Sequence, residues 1–256
     1  MATGNGIDAY LICGTPRTGS TLLCGLLRDT GVAGRPESYF RLPGEQLWAD
    51  RWHLPRDEHG SFDYRDFVRA AIVEGSTPNG IFAARVMWGT LDEMVAKLGA
   101  AHSSTGADLD LLTRAFGRLR FVHCWRADTV AQAVSWARAE QTHFWQHGDA
   151  ALPDHEPRFD FAQIDALVRT IDEHNAAWRR WFATFDVEPH IVRYEDLTTD
   201  FARVTRGILD FLGLDLPPGH TFVPRHRRQA DRLNHDWVLR YRARSGRAAT
   251  TGAAED

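Results

Sequence analysis

The sequence predicts an α/β fold in which a parallel sheet is flanked by helices and organised around a P-loop-like anion loop. Three observations carry that prediction. The stretch from Tyr10 to Leu23 runs from a short apolar segment through Gly14-Thr15-Pro16-Arg17-Thr18-Gly19 into a helical start at Ser20-Thr21. Two further apolar runs, 81–87 and 119–125, are each followed by segments of helical period. The third run delivers Arg126 at its carboxyl end, the edge where open α/β sheets bind ligands. At 256 residues the chain is long enough for a substantial core and is read as one domain, with 245–256 as a flexible tail.

The loop itself is the most informative element. A strand, a glycine-punctuated turn and a helix N-terminus direct unpaired backbone N–H groups and the helix dipole at one point, which favours an anion. The spacing Gly14-x-x-x-x-Gly19 nearly reproduces the nucleotide-binding pattern G-x-x-x-x-G-K-[ST], but Ser20 stands where the lysine belongs. A cation occurs instead inside the loop, at Arg17. A nucleoside-triphosphate enzyme places that lysine on the β/γ-phosphates, so its displacement argues for a phosphate ligand of another shape than ATP.

Composition bounds the partners. With 43% hydrophobic and 25% charged residues, the chain reads as an ordinary globular protein. A net charge of −4 gives no bulk basic field for nucleic acid. The cations are almost all arginine, Lys97 being the only lysine. Cys13, Cys24 and Cys124 have neither a paired nor a metal-ligand spacing and read as buried free thiols. No signal-like segment opens the sequence, and no apolar run approaches the ~18 residues of a membrane span, so a cytoplasmic location is expected.

Taken in order, residues 7–13 read as the first buried strand and 20–28 as the helix after the loop, with Leu22, Leu23, Leu26 and Leu27 on its core face. Gly31-Val-Ala-Gly-Arg-Pro-Glu37 then marks a turn. Glu37 lies one helix-length past the loop, and on residues alone it is either solvated surface or a group presented back toward the loop. Residues 41–76 mix Trp48, Trp52, Phe62, Tyr64 and Phe67 with charges, and read as two helices or a lid-like insertion. Its aromatics either pack or stack on an acceptor.

The turn Thr77-Pro-Asn-Gly80 precedes a second strand, 81–87, interrupted by Arg85. A charge there needs a partner, either an anionic ligand or a salt bridge. Short helices are expected over 91–98 and 108–116, a third strand over 119–125, and a helix from about Asp128 carrying Ser135. His143 and His147 fall four apart on its extension, without the glutamate of a zinc-protease helix or a third ligand, so no metal site is expected. A long helix over 159–185, a short strand within 189–197, a helix over 201–212 and a final helix over 236–244 complete the chain. Before that last helix, Arg225-His-Arg-Arg-Gln-Ala-Asp231 forms a basic cluster, read either as a solvated turn or as an arm closing over phosphates.

Four pieces then point one way: Thr15-Pro-Arg-Thr-Gly-Ser-Thr21, Arg126 with Ser135, Val192-Arg-Tyr-Glu-Asp-Leu197, and the late Arg/Gln cluster. Together they resemble the sulfotransferases that use 3′-phosphoadenosine 5′-phosphosulfate (PAPS), and most closely the bacterial trehalose 2-sulfotransferase type known from mycobacteria. Thr30-Gly-Val-Ala-Gly-Arg-Pro-Glu37, Val86-Met-Trp88, Gln132-Ala-Val-Ser135, Arg228-Gln-Ala-Asp231 and Arg240-Tyr-Arg242 extend the resemblance over most of the chain.

The resemblance implies the sulfotransferase fold and a metal-free transfer to a hydroxyl of a small-molecule or sugar acceptor. Pro16, Arg17, Thr18, Gly19, Ser20 and Thr21 would hold the 5′-phosphosulfate, Arg126 and Ser135 the 3′-phosphate, and Arg228 would also bind the cofactor. Glu37 matches the glutamate taken as catalytic base, Arg17 is catalytic beside it, and Glu37 and Arg85 face the acceptor. The sequence departs from the type where Arg85 replaces a lysine, and matches least over 42–75. The oligomeric state stays open, a homodimer included. The rival readings are an ATP/Mg²⁺ phosphotransferase and a non-catalytic nucleotide-binding protein.

Overall fold

The computed structural model describes residues 6–143, 156–223 and 232–246. Four strands, β1 (Ala9–Gly14), β2 (Phe82–Met87), β3 (Leu119–Trp125) and β4 (His190–Arg193), form one sheet in the order β2-β1-β3-β4. Every pairing is parallel. The register sets Gly14 beside both Met87 and Cys124, so the loops leaving β1, β2 and β3 emerge at one edge. β1 is buried along its whole length, which explains its unbroken apolar run.

Alternation along β1 divides the core in two. Tyr10 and Ile12 face helices α1 (Ser20–Asp29) and α9 (Phe201–Leu212), packing with Leu23, Leu27, Ile208 and Leu209. Ala9, Leu11 and Cys13 face the other layer, which holds α3 (Tyr64–Gly75), α4 (Trp88–His102), α5 (Asp108–Phe116) and α7 (Phe161–Thr184). A third cluster joins α6 (Thr129–Thr142) and α7 to α10 (Arg232–Ser245) through Val134, Ile171, Trp237 and Tyr241. Tyr241 Oη donates to Asp165 Oδ1 at 2.8 Å, fixing α10 on α7.

The expected spans 108–116, 119–125 and 201–212 coincide with α5, β3 and α9. Others shift for identifiable reasons. α4 is longer than 91–98 because Gly89 and Gly99 are carried inside the helix rather than ending it, and Trp88 packs edge-on against Trp178. α6 stops at Thr142, where His143 adopts a left-handed φ of 54°. His143 is therefore not on a continuing helix, and His147 lies outside the described residues. α10 begins at Arg232, four residues before the expected start.

The stretch 41–76 is two helices, α2 (Gly44–Arg51) and α3. Its aromatics pack together rather than standing free. Trp48 and Trp52 stack at 5.2 Å, and Phe62 and Tyr64 both stack on the buried Phe67. Beneath them Glu45 is 2% exposed, accepting from Lys97 Nζ at 2.6 Å and Tyr64 Oη at 3.2 Å. Burial pushes the Glu45 carboxyl upward, and the Lys97 charge opposes that rise. The one lysine of the chain thus neutralises a buried carboxylate.

What fixes the site is the return of the chain after α1. Glu37 makes a parallel bridge to Ala84 on β2, and Arg85 N donates to Glu37 O at 2.9 Å. The turn Thr77-Pro-Asn-Gly80 holds that return from below: Gly34 N donates to Thr77 Oγ1 (3.0 Å) and Asn79 Nδ2 to Val32 O (2.8 Å). Gly34 has φ +69°, and a Cβ there would sit 2.7 Å from Ala83 Cβ and 2.9 Å from Ala83 N. Gly34→Ala should therefore destabilise the protein by roughly 2–4 kcal/mol in urea unfolding, combining a left-handed penalty with overpacking. Gly31→Ala, at a similar φ with open space around it, should cost only the backbone part, about 1 kcal/mol. Equal costs would show that the 31–37 loop does not press on β2.

Candidate active site

The loop between β1 and α1 has its carbonyl oxygens engaged from behind. Trp178 Nε1 donates to Gly14 O at 3.0 Å, and Thr18 Oγ1 to Thr15 O at 3.0 Å. Gln132 Nε2 donates to both Thr15 Oγ1 and Pro16 O at 2.7 Å. Thr15, Thr18 and Gln132 are fully buried. Gly19 caps α1 without a side-chain hydrogen bond, so the first N–H groups of the helix, at Ser20 and Thr21, are not taken by a cap. This is an anion-binding arrangement of backbone dipoles.

Arg17 takes a left-handed φ of 69°, unusual for a residue with a Cβ. Its Nε donates to Ser135 Oγ at 2.9 Å, across 118 positions of sequence. The loop and the middle of α6 are thereby in direct contact. Arg126, only 8% exposed at the end of β3, lays its guanidinium 4.2 Å from the centroid of the Tyr194 ring. Tyr194 opens α8 (Tyr194–Thr199) and approaches Gly19 so closely that a Cβ there would lie 3.0 Å from the ring. Glu195 accepts from Ala127 N at 3.2 Å. Asp128 caps α6 through Ala131 N and accepts from Arg242 of α10 at 2.9 Å. The motif Val192–Leu197 thus braces both the loop and the Arg126 turn.

On the opposite flank Arg85 spans two segments. Its Nη1 donates to Thr21 Oγ1 at 2.8 Å and its Nε to Ser38 Oγ at 2.9 Å. The partners of this strand charge are hydroxyl groups on the loop helix and beside Glu37. The Glu37 carboxylate pairs through Oε1 with Arg28 Nη2, which also donates to Pro36 O at 3.3 Å. Burial acts to lower the proton affinity of Arg28, but the Glu37 carboxylate outweighs it and the net shift is upward.

Of the residues singled out from sequence, Arg17 to Thr21, Ser135, Arg126, Arg85 and Glu37 are drawn to the carboxyl edge of the sheet by the contacts above. Pro16 lies in the same loop, its carbonyl held by Gln132. Arg228 and its basic cluster lie outside the described residues. The three cysteines are free and buried, and burial pushes the Cys24 thiol up to about 11 and those of Cys13 and Cys124 higher than usual. Among the described residues no group of three or more His, Cys, Asp or Glu could hold a metal ion. Within the same residues no helix is long and apolar enough to cross a membrane.

Sequence reasoning gave no physical role to Gln132 or Tyr194, read Trp178 only as a core position of the long helix, and took Arg28 only as the end of the helix after the loop. Gln132 and Tyr194 sit inside motifs already quoted, so a buried amide and a ring next to cationic loop residues were the available signals. Arg28 could have been suspected from its place seven residues after Thr21, on the same face of α1.

A parallel sheet flanked by helices, with this loop at its carboxyl edge, defines an α/β protein. The chain belongs to the Stf0 sulphotransferase family, whose model matches residues 9–244. It is 30% identical to the trehalose 2-sulfotransferase of Mycobacterium tuberculosis over 94% of this chain and 97% of that relative. It is also 30% identical to the trehalose 2-sulfotransferase of Mycolicibacterium smegmatis, over 91% and 94%. A solved sulfotransferase structure from Alicyclobacillus acidocaldarius is similar over 98% of each chain, at 16% identity and a TM-score of 0.46. By its family the protein is an enzyme of the sulfotransferase class, as the sequence led us to expect.

The backbone at Arg17 yields a direct check. Arg17→Gly and Arg17→Ala both lose the Ser135 contact, but only glycine relieves the left-handed φ. The glycine variant should be the more stable by roughly 1–2 kcal/mol in urea unfolding. Equal stabilities would mean that the residue is not held in that conformation.

Proposed function

We propose that the protein transfers the sulfuryl group of PAPS to a hydroxyl of a small-molecule or sugar acceptor, acting through one domain. The names of its relatives make trehalose the first acceptor to try. The observation that carries the reading is the contact between Arg17 and Ser135, with Arg126 braced against Gly19 by Tyr194. It joins two candidate anion-binding regions, one at the N-terminus of α1 and one formed by Arg126 after β3 with Ser135 on α6. A donor with a 5′-phosphosulfate and a separate 3′-phosphate requires such a pair. A P-loop ATP enzyme uses instead a lysine at the position of Ser20.

PAPS supplies an activated sulfuryl group whose departure leaves adenosine 3′,5′-bisphosphate. In this reading Arg17 and the N–H groups of Gly19, Ser20 and Thr21 stabilise the negative charge that builds on the bridging oxygen and the 5′-phosphate. Pro16 and Thr18 shape that loop, and Arg126 and Ser135 receive the 3′-phosphate. Arg228 would join them from the basic cluster. Glu37 accepts the hydroxyl proton as the acceptor oxygen bonds to sulfur and the sulfur–oxygen bond to the phosphate breaks. Arg85, tied to Thr21 and Ser38, stands between donor and acceptor sides. No step calls for a metal, since arginines and backbone donors provide the positive field.

Adenosine 3′,5′-bisphosphate should raise the melting temperature, because a ligand bound only to the native state stabilises it by RT ln(1 + [L]/Kd). ATP with Mg²⁺ should do far less, and Arg126→Ala should lose most of the bisphosphate effect. Differential scanning fluorimetry reads all three. Equal shifts with both nucleotides, or an unchanged shift in Arg126→Ala, would remove the 3′-phosphate assignment and favour a phosphotransferase.

A further inference from the structure

Both ends of α1 address the site. Its first turn forms the anion loop, and its last turn carries Arg28, which pairs with Glu37 Oε1 and donates to Pro36 O. Thr21 and Arg28 are seven residues apart and share a helix face. Thr21 is tied through Arg85 to Ser38, and Arg28 directly to Glu37. One face of one rigid helix therefore grips two successive residues of the returning loop. The Arg28–Glu37 side chains are 41% and 37% exposed, and an ion pair so open to water adds little to stability. Its geometry is more telling: Arg28 Nη2 donates both to the backbone carbonyl before Glu37 and to one carboxylate oxygen, so a single nitrogen holds the two together.

We propose that Arg28 is a positioning residue for Glu37, fixing Oε1 so that Oε2 is the atom offered to the acceptor hydroxyl. The inference rests on the reading of Glu37 as the base. Glutamate has three side-chain torsions, and near half-exposure they are otherwise free to turn the carboxylate into solvent. Arg28 removes that freedom from a group that must lie within hydrogen-bond reach of the reacting hydroxyl. Arg28 touches neither donor nor sulfur in this arrangement. Its effect passes entirely through the carboxylate.

A double-mutant cycle tests this, measuring kcat at saturating PAPS for wild type, Arg28→Ala, Glu37→Gln and the double variant, with trehalose or the best acceptor found. Arg28→Ala should lower kcat by roughly 10–100-fold, the cost of a misplaced catalytic group, while the bisphosphate thermal shift stays intact. Glu37→Gln should lose roughly 10²–10⁴-fold. The double variant should be no slower than Glu37→Gln alone, because Arg28 then has no base to position. Arg28→Lys should recover part of the rate. Wild-type kcat in Arg28→Ala beside a crippled Glu37→Gln would overturn the role of Arg28 and leave the base in place. Losses that multiply in the double variant would also overturn it, placing Arg28 on the reacting atoms. A Glu37→Gln enzyme at the wild-type rate would remove the base assignment and this inference with it.

Discussion

The arrangement depends on one constraint: the carbonyls of Gly14, Thr15 and Pro16 must turn inward to meet buried side-chain donors. Three side-chain donors impose it. Trp178 takes the carbonyl of Gly14, Thr18 that of Thr15, and Gln132 that of Pro16. Each comes from a different place in the sequence, the loop itself, α6 or α7, so the loop is formed only once the sheet and both helices have closed around it. A buried carbonyl left without a donor costs about as much as a lost hydrogen bond, which makes the inward orientation strongly preferred. Held in a left-handed backbone, Arg17 is the kind of local strain that accompanies functional loops.

A second constraint is the parallel register. Because Gly14, Met87 and Cys124 end level, Arg17, Arg85 and Arg126 are delivered to one edge although they are far apart in the chain. The return loop is attached to that edge by the Glu37–Ala84 bridge, so a glutamate from outside the sheet is held almost as a strand residue would be. Tertiary hydrogen bonds from Thr77 and Asn79, rather than the local propensity of 31–37, set its path.

Much of this was legible in the sequence. Apolar runs bounded by glycine and proline disclosed β1, β2 and β3, and the near-standard glycine spacing disclosed the loop between β1 and α1. The spans of α5, β3 and α9 follow from periodicity alone. What stayed hidden is what periodicity cannot carry. The Arg17–Ser135 and Arg28–Glu37 contacts depend on tertiary proximity. So does the packing of Trp48, Trp52 and Phe67, whose charged neighbours left both two helices and a lid-like insertion open as readings. The end of α6 at Thr142 depends on a left-handed turn at His143, a residue type with no strong stop signal.

Family membership supplies sulfuryl transfer, and the loop, the paired arginine regions and the held glutamate offer a physical account of how this chain performs it. The most direct measurement is a crystal structure with adenosine 3′,5′-bisphosphate. The account predicts the 5′-phosphate against the amides of Gly19, Ser20 and Thr21 beside Arg17, and the 3′-phosphate against Arg126 and Ser135. A ligand bound with its phosphates reversed, or away from the Gly14–Thr21 loop, would contradict it.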